Sequence, residues 1–344
     1  MTAPRTIGIQ DVVNSRPVSR FQKLVILLCF LVVAIDGFDT TAVSFIAPAL
    51  RTAWKISPAQ LAPLFGTGLF GLMIGAFLFG PLADKIGRKP VLVATTLFFG
   101  LATIASAFAS LIEALTALRF ITGLGLGGAM PAAITITSEF CPGRKRSPML
   151  QLFAGGLALG ALLLWETFFM SLLVFYLLSS WLALLITSAG FTLAHASLMA
   201  ATLATGGTVG AIAIGRLMDR FDPHIVLAVA YVVAGGFVVL LGSATGAPWL
   251  LVFAIFGAGF GAAAYYPTAS RATGVSWANA VGRTGSILGS MTGGVLLGIG
   301  WTLPTVFTIA AVPAFLAGVA ILVKRWTDGA APVPAQATVL SAAE

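Results

Sequence analysis

The sequence is short of almost everything a soluble enzyme uses. Only 9% of its 344 residues are charged, 11 acidic and 19 basic, against roughly 25% in soluble domains. Two cysteines, Cys29 and Cys141, are too few for a disulfide framework. The two histidines, His195 and His224, have no metal-ligand spacing with each other or with the cysteines. No nucleophile stands in a catalytic constellation either, so the reading excludes an enzyme and expects neither metal nor cofactor. The apolar runs lack the polar-apolar alternation of an outer-membrane barrel strand. Residues 1–23 hold no short apolar core followed by a small-residue cleavage site, so they read as a cytoplasmic tail.

What is present is apolar. The chain is 58% hydrophobic with a mean hydropathy of +1.02, and its apolar runs approach or exceed the roughly 20 residues needed to cross a bilayer as helix. Ten such runs predict an all-α, polytopic transmembrane bundle. A net charge of +8 raises the question of nucleic acid, but the basic residues sit in short loops rather than forming a stripe. Lipid bilayer is the expected surroundings, with no nucleic-acid partner. Lys85, Arg88, Lys89, Arg144, Lys145, Arg146, Arg220, Arg271, Lys324 and Arg325 fall at one set of helix ends, and only Arg51 and Lys55 at the other. Basic loops stay inside, which predicts an inner-membrane protein with both termini cytoplasmic.

One charged turn organises the rest. Gly80-Pro81-Leu82-Ala83-Asp84-Lys85-Ile86-Gly87-Arg88-Lys89 lies between two apolar runs, and a weaker copy, Gly215-Arg216-Leu217-Met218-Asp219-Arg220-Phe221, recurs 135 residues later. Matched Gly, Leu and Asp in corresponding loops mark a secondary transporter built from duplicated helix bundles. The repeat divides the chain into a tail (1–23), a four-span bundle (24–138), a cytoplasmic linker (139–158), a six-helix bundle (159–324) and a disordered cytoplasmic tail (325–344). The first half is two helices short, the pair having gone from near residues 146–158. Self-association is an expected way to cover that gap. Glycines four apart, Gly71/Gly75, Gly123/Gly127, Gly206/Gly210 and Gly285/Gly289/Gly293, predict close helix crossings.

Ionisable residues inside the spans are costly, roughly 2.5 to 3.5 kcal/mol near the bilayer centre, and are functional candidates for that reason. They are Asp36, Asp39, Arg119, Glu166 and Arg283. Asp36 and Asp39, three apart, share a helical face, and their mutual repulsion favours proton uptake by at least one; the alternative is a bridge to a neighbouring helix. Arg119 and Arg283 need carboxylate partners, from the protein or from a ligand, and their planar forks suit bidentate capture. Glu166 reads as structural. Glu139 and Arg271 sit at helix ends beside the loops, where Gly80, Asp84, Arg88, Asp219 and Arg220 form a candidate cytoplasmic gate.

Gly80 to Lys89 resembles the loop between the second and third helices of the major facilitator superfamily. The nearer resemblance is to its aromatic acid:proton symporters, the permeases for 4-hydroxybenzoate, protocatechuate and benzoate. Asp36-Gly37-Phe38-Asp39 is similar to that family's first-helix signature. Gly123 to Pro131 with Ser138-Glu139-Phe140 resembles its fourth helix, and Tyr266 to Trp277 with Gly282-Arg283 its tenth-to-eleventh connection. The resemblance implies proton-coupled uptake of an aromatic carboxylate, with Asp36, Asp39, Arg119, Glu139, Arg271 and Arg283 at matching functional positions. The chain departs from the family's twelve spans in lacking what resemble the fifth and sixth, which leaves a non-transporting remnant or membrane binding protein as the rival reading.

Overall fold

In the computed structural model of the chain, residues 19–140, 158–244, 246–262 and 274–330 are described. They form ten α-helices: α1 (Arg20–Trp54), α2 (Pro58–Ile86), α3 (Arg88–Ser106), α4 (Ile112–Phe140), α5 (Ala158–Ser188), α6 (Leu193–Met218), α7 (Pro223–Ser243), α8 (Pro248–Ala262), α9 (Gly274–Gly298) and α10 (Leu303–Ala330). Seven are by themselves long and apolar enough to span a bilayer, and α8 is a shorter apolar helix. Helical order is what lipid demands, since every backbone polar group there must be satisfied within the segment. Two boundaries differ from the sequence expectation. Helix α10 runs on to Ala330, so residues 325–330 are helical rather than tail. The expected linker is helical at both ends, in α4 up to Phe140 and in α5 from Ala158; its interior, like residues 1–18 and 331–344, lies outside the described residues.

Local chemistry sets the helix starts. Ser19 and Gln22 form a reciprocal capping box before α1, and Ser57 with Gln60 another before α2, where Pro58 occupies the first turn. Thr192 caps α6 and Asp222 caps α7 through backbone N–H groups of His195 and His224.

The glycine pattern becomes helix crossings. In α2 and α4, a Cβ on Gly71 or Gly75 would run into the Phe120 or Leu124 carbonyl, and one on Gly123 or Gly127 into the Gly68 or Leu72 carbonyl. Helices α6 and α8 repeat the arrangement, with Gly206 and Gly210 against the Phe256 and Phe260 carbonyls and Gly259 against that of Leu203. Helix α9 closes on α5 in the same way, Gly285 on Phe169 and Gly289 on Leu173, while Gly293 seats the Trp181 ring. The packing of α2 and α3 on α4 is thus repeated by α6 and α7 on α8, which is the structural counterpart of the repeated loop. Helices α9 and α10 pack on α5, and α10 also on α7.

The halves meet chiefly through α1 against α5 and α2 against α9. The α2–α9 contact is tightest at the ends remote from the basic loops, where Met291 covers Gly66 and Gly294 approaches Pro58 and Ala62. Phe65 meets Trp181 edge to face at 5.1 Å between ring centres, and Trp181 donates its indole N–H to the Ser290 carbonyl at 2.8 Å. These contacts form a seal across one end of the bundle.

Candidate functional site

Helix α1 carries both acids on its inward face. Asp39 accepts a 2.8 Å hydrogen bond from Arg119 Nη1 on α4, which also reaches the Asp39 carbonyl at 3.4 Å. Both side chains are buried, at 10% and 9% exposure, so neither charge is tolerable without the other. Arg119 Nε has no hydrogen-bond partner among the described residues, which leaves the guanidinium with donor capacity to spare. This pair answers the question the sequence left open for Arg119: its carboxylate partner is the protein's own.

Asp36 is different. It is 7% exposed, and its Oδ1 has no hydrogen-bond partner among the described residues. The charges acting on it are Arg283, which attracts it, and Asp39, which repels it. Arg283, on α9, is half-buried and among the described residues donates only to weak acceptors, the Tyr176 hydroxyl of α5 at 3.4 Å and Met130 Sδ of α4 at 3.6 Å. A guanidinium at this depth with no bidentate acceptor is a ready carboxylate receptor.

Beside the Asp39–Arg119 pair is a cavity of about 40 Å³ lined by Asp39, Thr40, Arg119, Tyr176, Ser179 and Ser180 with Val43 and apolar residues of α2 and α4; neither Asp36 nor Arg283 lines it. That is room for water, for which one probe sphere of roughly 10–15 Å³ suffices, but far less than the roughly 150 Å³ void that takes up benzene. The cavity at Asp39 and Arg119 therefore has polar groups in place and no space for a ring.

The structure brings Asp36, Asp39, Arg119 and Arg283 to the middle of the bundle. The described residues of the candidate gate lie at the end of the bundle that carries the basic loops. Asp84, Asp219 and Arg220 are exposed and Arg88 is half-buried, while Gly80 has open space where a Cβ would stand. Glu139 ends α4, its side chain outside what is described, and Arg271 lies outside the described residues. The ion pair seen at that end was not anticipated: Arg325 Nε of α10 donates to Asp222 Oδ2 at 2.9 Å. Partial burial alone would raise the Asp222 pKa, but the bonds from Arg325 and from the His224 backbone N–H outweigh it and hold the carboxyl below the ordinary aspartate value. Asp222-Pro223, an N-cap followed by proline at the first helical position, signals the start of α7, though not the arginine that pairs with it.

Tyr176, Met130 and Ser180 were also missed. Deeper in the second half, the Ser171 hydroxyl donates to the Thr167 carbonyl, so the buried Tyr231 O–H donates to Ser171 across 2.7 Å. Glu166, read as structural, sits near this pair with Oε2 lacking a partner among the described residues.

Residues 29–165 and 164–340 match the Major Facilitator Superfamily. The 4-hydroxybenzoate transporter PcaK of Pseudomonas aeruginosa is 34% identical over 94% of this chain and 97% of its own length. The gallate transporter of Pseudomonas putida is 34% identical over 92% and 94%. The alignment to the first runs over 434 positions against 344 residues here, so at least 90 of its positions stand opposite gaps. Among solved structures, a bacterial homolog to the human lysosomal transporter Spinster, inward-facing and occupied, superimposes with a TM-score of 0.69 over 90% of this chain and 98% of its own, at 16% identity; this likeness concerns the fold. From helix content, intramembrane charge and relatives together, the chain is a multi-pass membrane transporter, not an enzyme, and belongs to the aromatic acid transporters of the Major Facilitator Superfamily.

Proposed function

We propose that this protein is a proton-coupled importer of an aromatic carboxylic acid, of the hydroxybenzoate or benzoate type, in the inner membrane with both termini cytoplasmic. The observation that carries the reading is a buried Asp36 carboxylate oxygen with no hydrogen-bond partner among the described residues, under the attraction of the loosely held Arg283 guanidinium. An ionised Asp36 and an aromatic carboxylate compete for that one cation. Protonation of Asp36 releases Arg283 to the substrate, and binding of the anion in turn favours the proton on Asp36, so the two load together and cross as a neutral load. Asp39, already neutralised by Arg119, orients the site and adds a repulsion that favours the proton on Asp36. The Met130 sulfur and the Tyr176 ring, both on Arg283, are suitable walls for an arene. The cytoplasmic orientation is supported by the basic residues at the end opposite the seal.

Transport is favoured over a non-transporting remnant because relatives named as transporters match nearly end to end. Uptake of labelled 4-hydroxybenzoate by purified protein in vesicles should require an inward proton gradient and collapse with a protonophore. Asp36→Asn should lose at least tenfold of gradient-driven uptake while keeping exchange of internal for external substrate. Gradient-independent uptake by wild type, or an Asp36→Asn protein that still concentrates substrate, rules this coupling out.

A further inference from the structure

Helices α1 and α5 present three tiers in succession. Asp39, Thr40 and Val43 of α1 line the central cavity with Tyr176, Ser179 and Ser180 of α5. One turn on, Ala47 and Trp181 are in the buried core that seals this end. Beyond the seal, the same two helices open a groove of about 470 Å³, closed on a third side by the start of α6. That volume lies within the roughly 300–1,000 Å³ of small-molecule sites, and it contrasts with the cramped cavity below.

The chemistry of the groove is divided. Its cation is Arg51, exposed, in the last turn of α1, with no ion pair among the described residues. Its apolar walls are Pro48, Leu184 and Leu193. Its hydroxyls have their hydrogens committed one turn back: Thr52 to the Pro48 carbonyl at 3.0 Å, Thr187 to Ala183 at 3.0 Å, and Ser188 to Leu185 at 2.8 Å. Oxygens so engaged keep their lone pairs free to accept. One oxyanion receptor, a flat apolar slot and acceptors for a donor hydroxyl describe a hydroxylated aromatic carboxylate better than an aliphatic acid or an unsubstituted benzoate. Twelve residues of helix separate Arg51 from Asp39, and twelve separate Ser188 from Tyr176, about 18 Å along each axis at 1.5 Å per residue.

We propose that this groove is a second binding site for a hydroxylated aromatic carboxylate, filled from the outer side while the seal is closed and emptied toward Arg283 when it opens. The inference rests on the aromatic acid reading above and adds a site to it. Because the groove is made from one helix of each half, parting of the halves at this end destroys it, which expels its occupant as the central site becomes accessible.

The test is equilibrium binding of labelled 4-hydroxybenzoate and benzoate to the full chain in nanodiscs of phosphatidylcholine. Wild type should show two components. Arg283→Gln should keep the weaker one, and Arg51→Gln should weaken that component at least tenfold while leaving the tighter one. In the Arg283→Gln background, 4-hydroxybenzoate should bind at least threefold more tightly than benzoate, and Thr187→Val with Ser188→Ala should erase the preference. Arg51 is exposed, so its replacement leaves the packed core intact. A weak component indifferent to Arg51→Gln overturns the inference and leaves the central site standing. Complete loss of the weak component on adding phosphatidylglycerol shows a lipid phosphate at Arg51 and overturns it as well. No aromatic binding by any form sinks both this site and the aromatic acid reading.

Discussion

Helices α1 and α5 occupy corresponding places in the two halves and meet opposite fates. In the apolar stretch of α5, 72% of residues are buried, and in that of α1 only 12%. Helix α5 is flanked by α9 and α10, which pack along it; around α1 those two places have no helix among the described residues. Phe38 is consequently 72% exposed while Asp36, two residues earlier and on the opposite side, is 7% exposed. In water such a face would be a liability. In lipid, where the acyl chains are as apolar as leucine, helix association gains little from hydrophobic burial, so the cost of an uncovered helix falls on its polar groups alone. Here those are turned inward, with Asp39 engaged by Arg119 of α4.

The comparison is broken most severely at the Asp39–Arg119 pair, the buried ion pair that fastens α1 to its own half. Arg119→Leu strands a buried carboxylate and should lower stability by about 3 to 5 kcal/mol, seen as loss of folded protein in detergent; the double change with Asp39→Asn should recover most of it. If single and double variants melt alike, the pair does not hold α1. A smaller contrast lies between exposed and buried aromatics. Trp181→Ala removes a fully buried ring and should cost about 3 kcal/mol or more, whereas Phe38→Ala should leave melting within about 0.5 kcal/mol. Equal losses from the two would mean that α1 is covered in the membrane, and a second copy of this chain, detectable by cross-linking at position 38, is the expected cover. The smallest effect belongs to Asp222 and Arg325, both partly exposed, a pair of a kind worth about 0 to 1 kcal/mol. Because the Asp222 pKa is depressed, its contribution is complete above the ordinary aspartate value of about 3.9 and is lost only as pH falls through the lower native one. Arg325→Gln should therefore shift melting slightly and equally at pH 6 and 8, with the difference from wild type shrinking in strong acid.

Much of this was legible in the chain because it is periodic or local. Apolar run length fixed ten helices, glycines four apart marked the crossings that α2/α4, α6/α8 and α5/α9 make, and each intramembrane charge announced itself against an apolar background. Partnership was not legible. Tyr176 is 107 residues from Arg283 and Met130 is 153, and no local pattern encodes such meetings. Nothing in the composition of Asp36-Gly37-Phe38-Asp39 says that one acid is engaged by arginine and the other left with a bare oxygen; that depends on where α4 and α9 arrive. Repetition made Asp84 and Asp219 prominent, whereas Asp222, which pairs with Arg325, stands immediately after the repeated stretch and carries no such mark.

The glycine crossings also decide where the molecule can yield. Where one backbone lies directly on another, as Gly123 on Gly68 or Gly289 on Leu173, there are no rotamers to rearrange and no slack to take up, so the joint is stiff. Contacts between the halves are largely of another material: the pliant Met291 thioether over Gly66, the Ala62 methyl beside the Pro58 carbonyl at Gly294, and the Phe65 ring on Trp181. Methionine, with three rotatable bonds, re-forms such contacts in many geometries. Compliance is thus concentrated along the seam and withheld from the shells on either side, and a force applied at the site by an arriving ligand is relieved by turning one shell against the other rather than by deforming either.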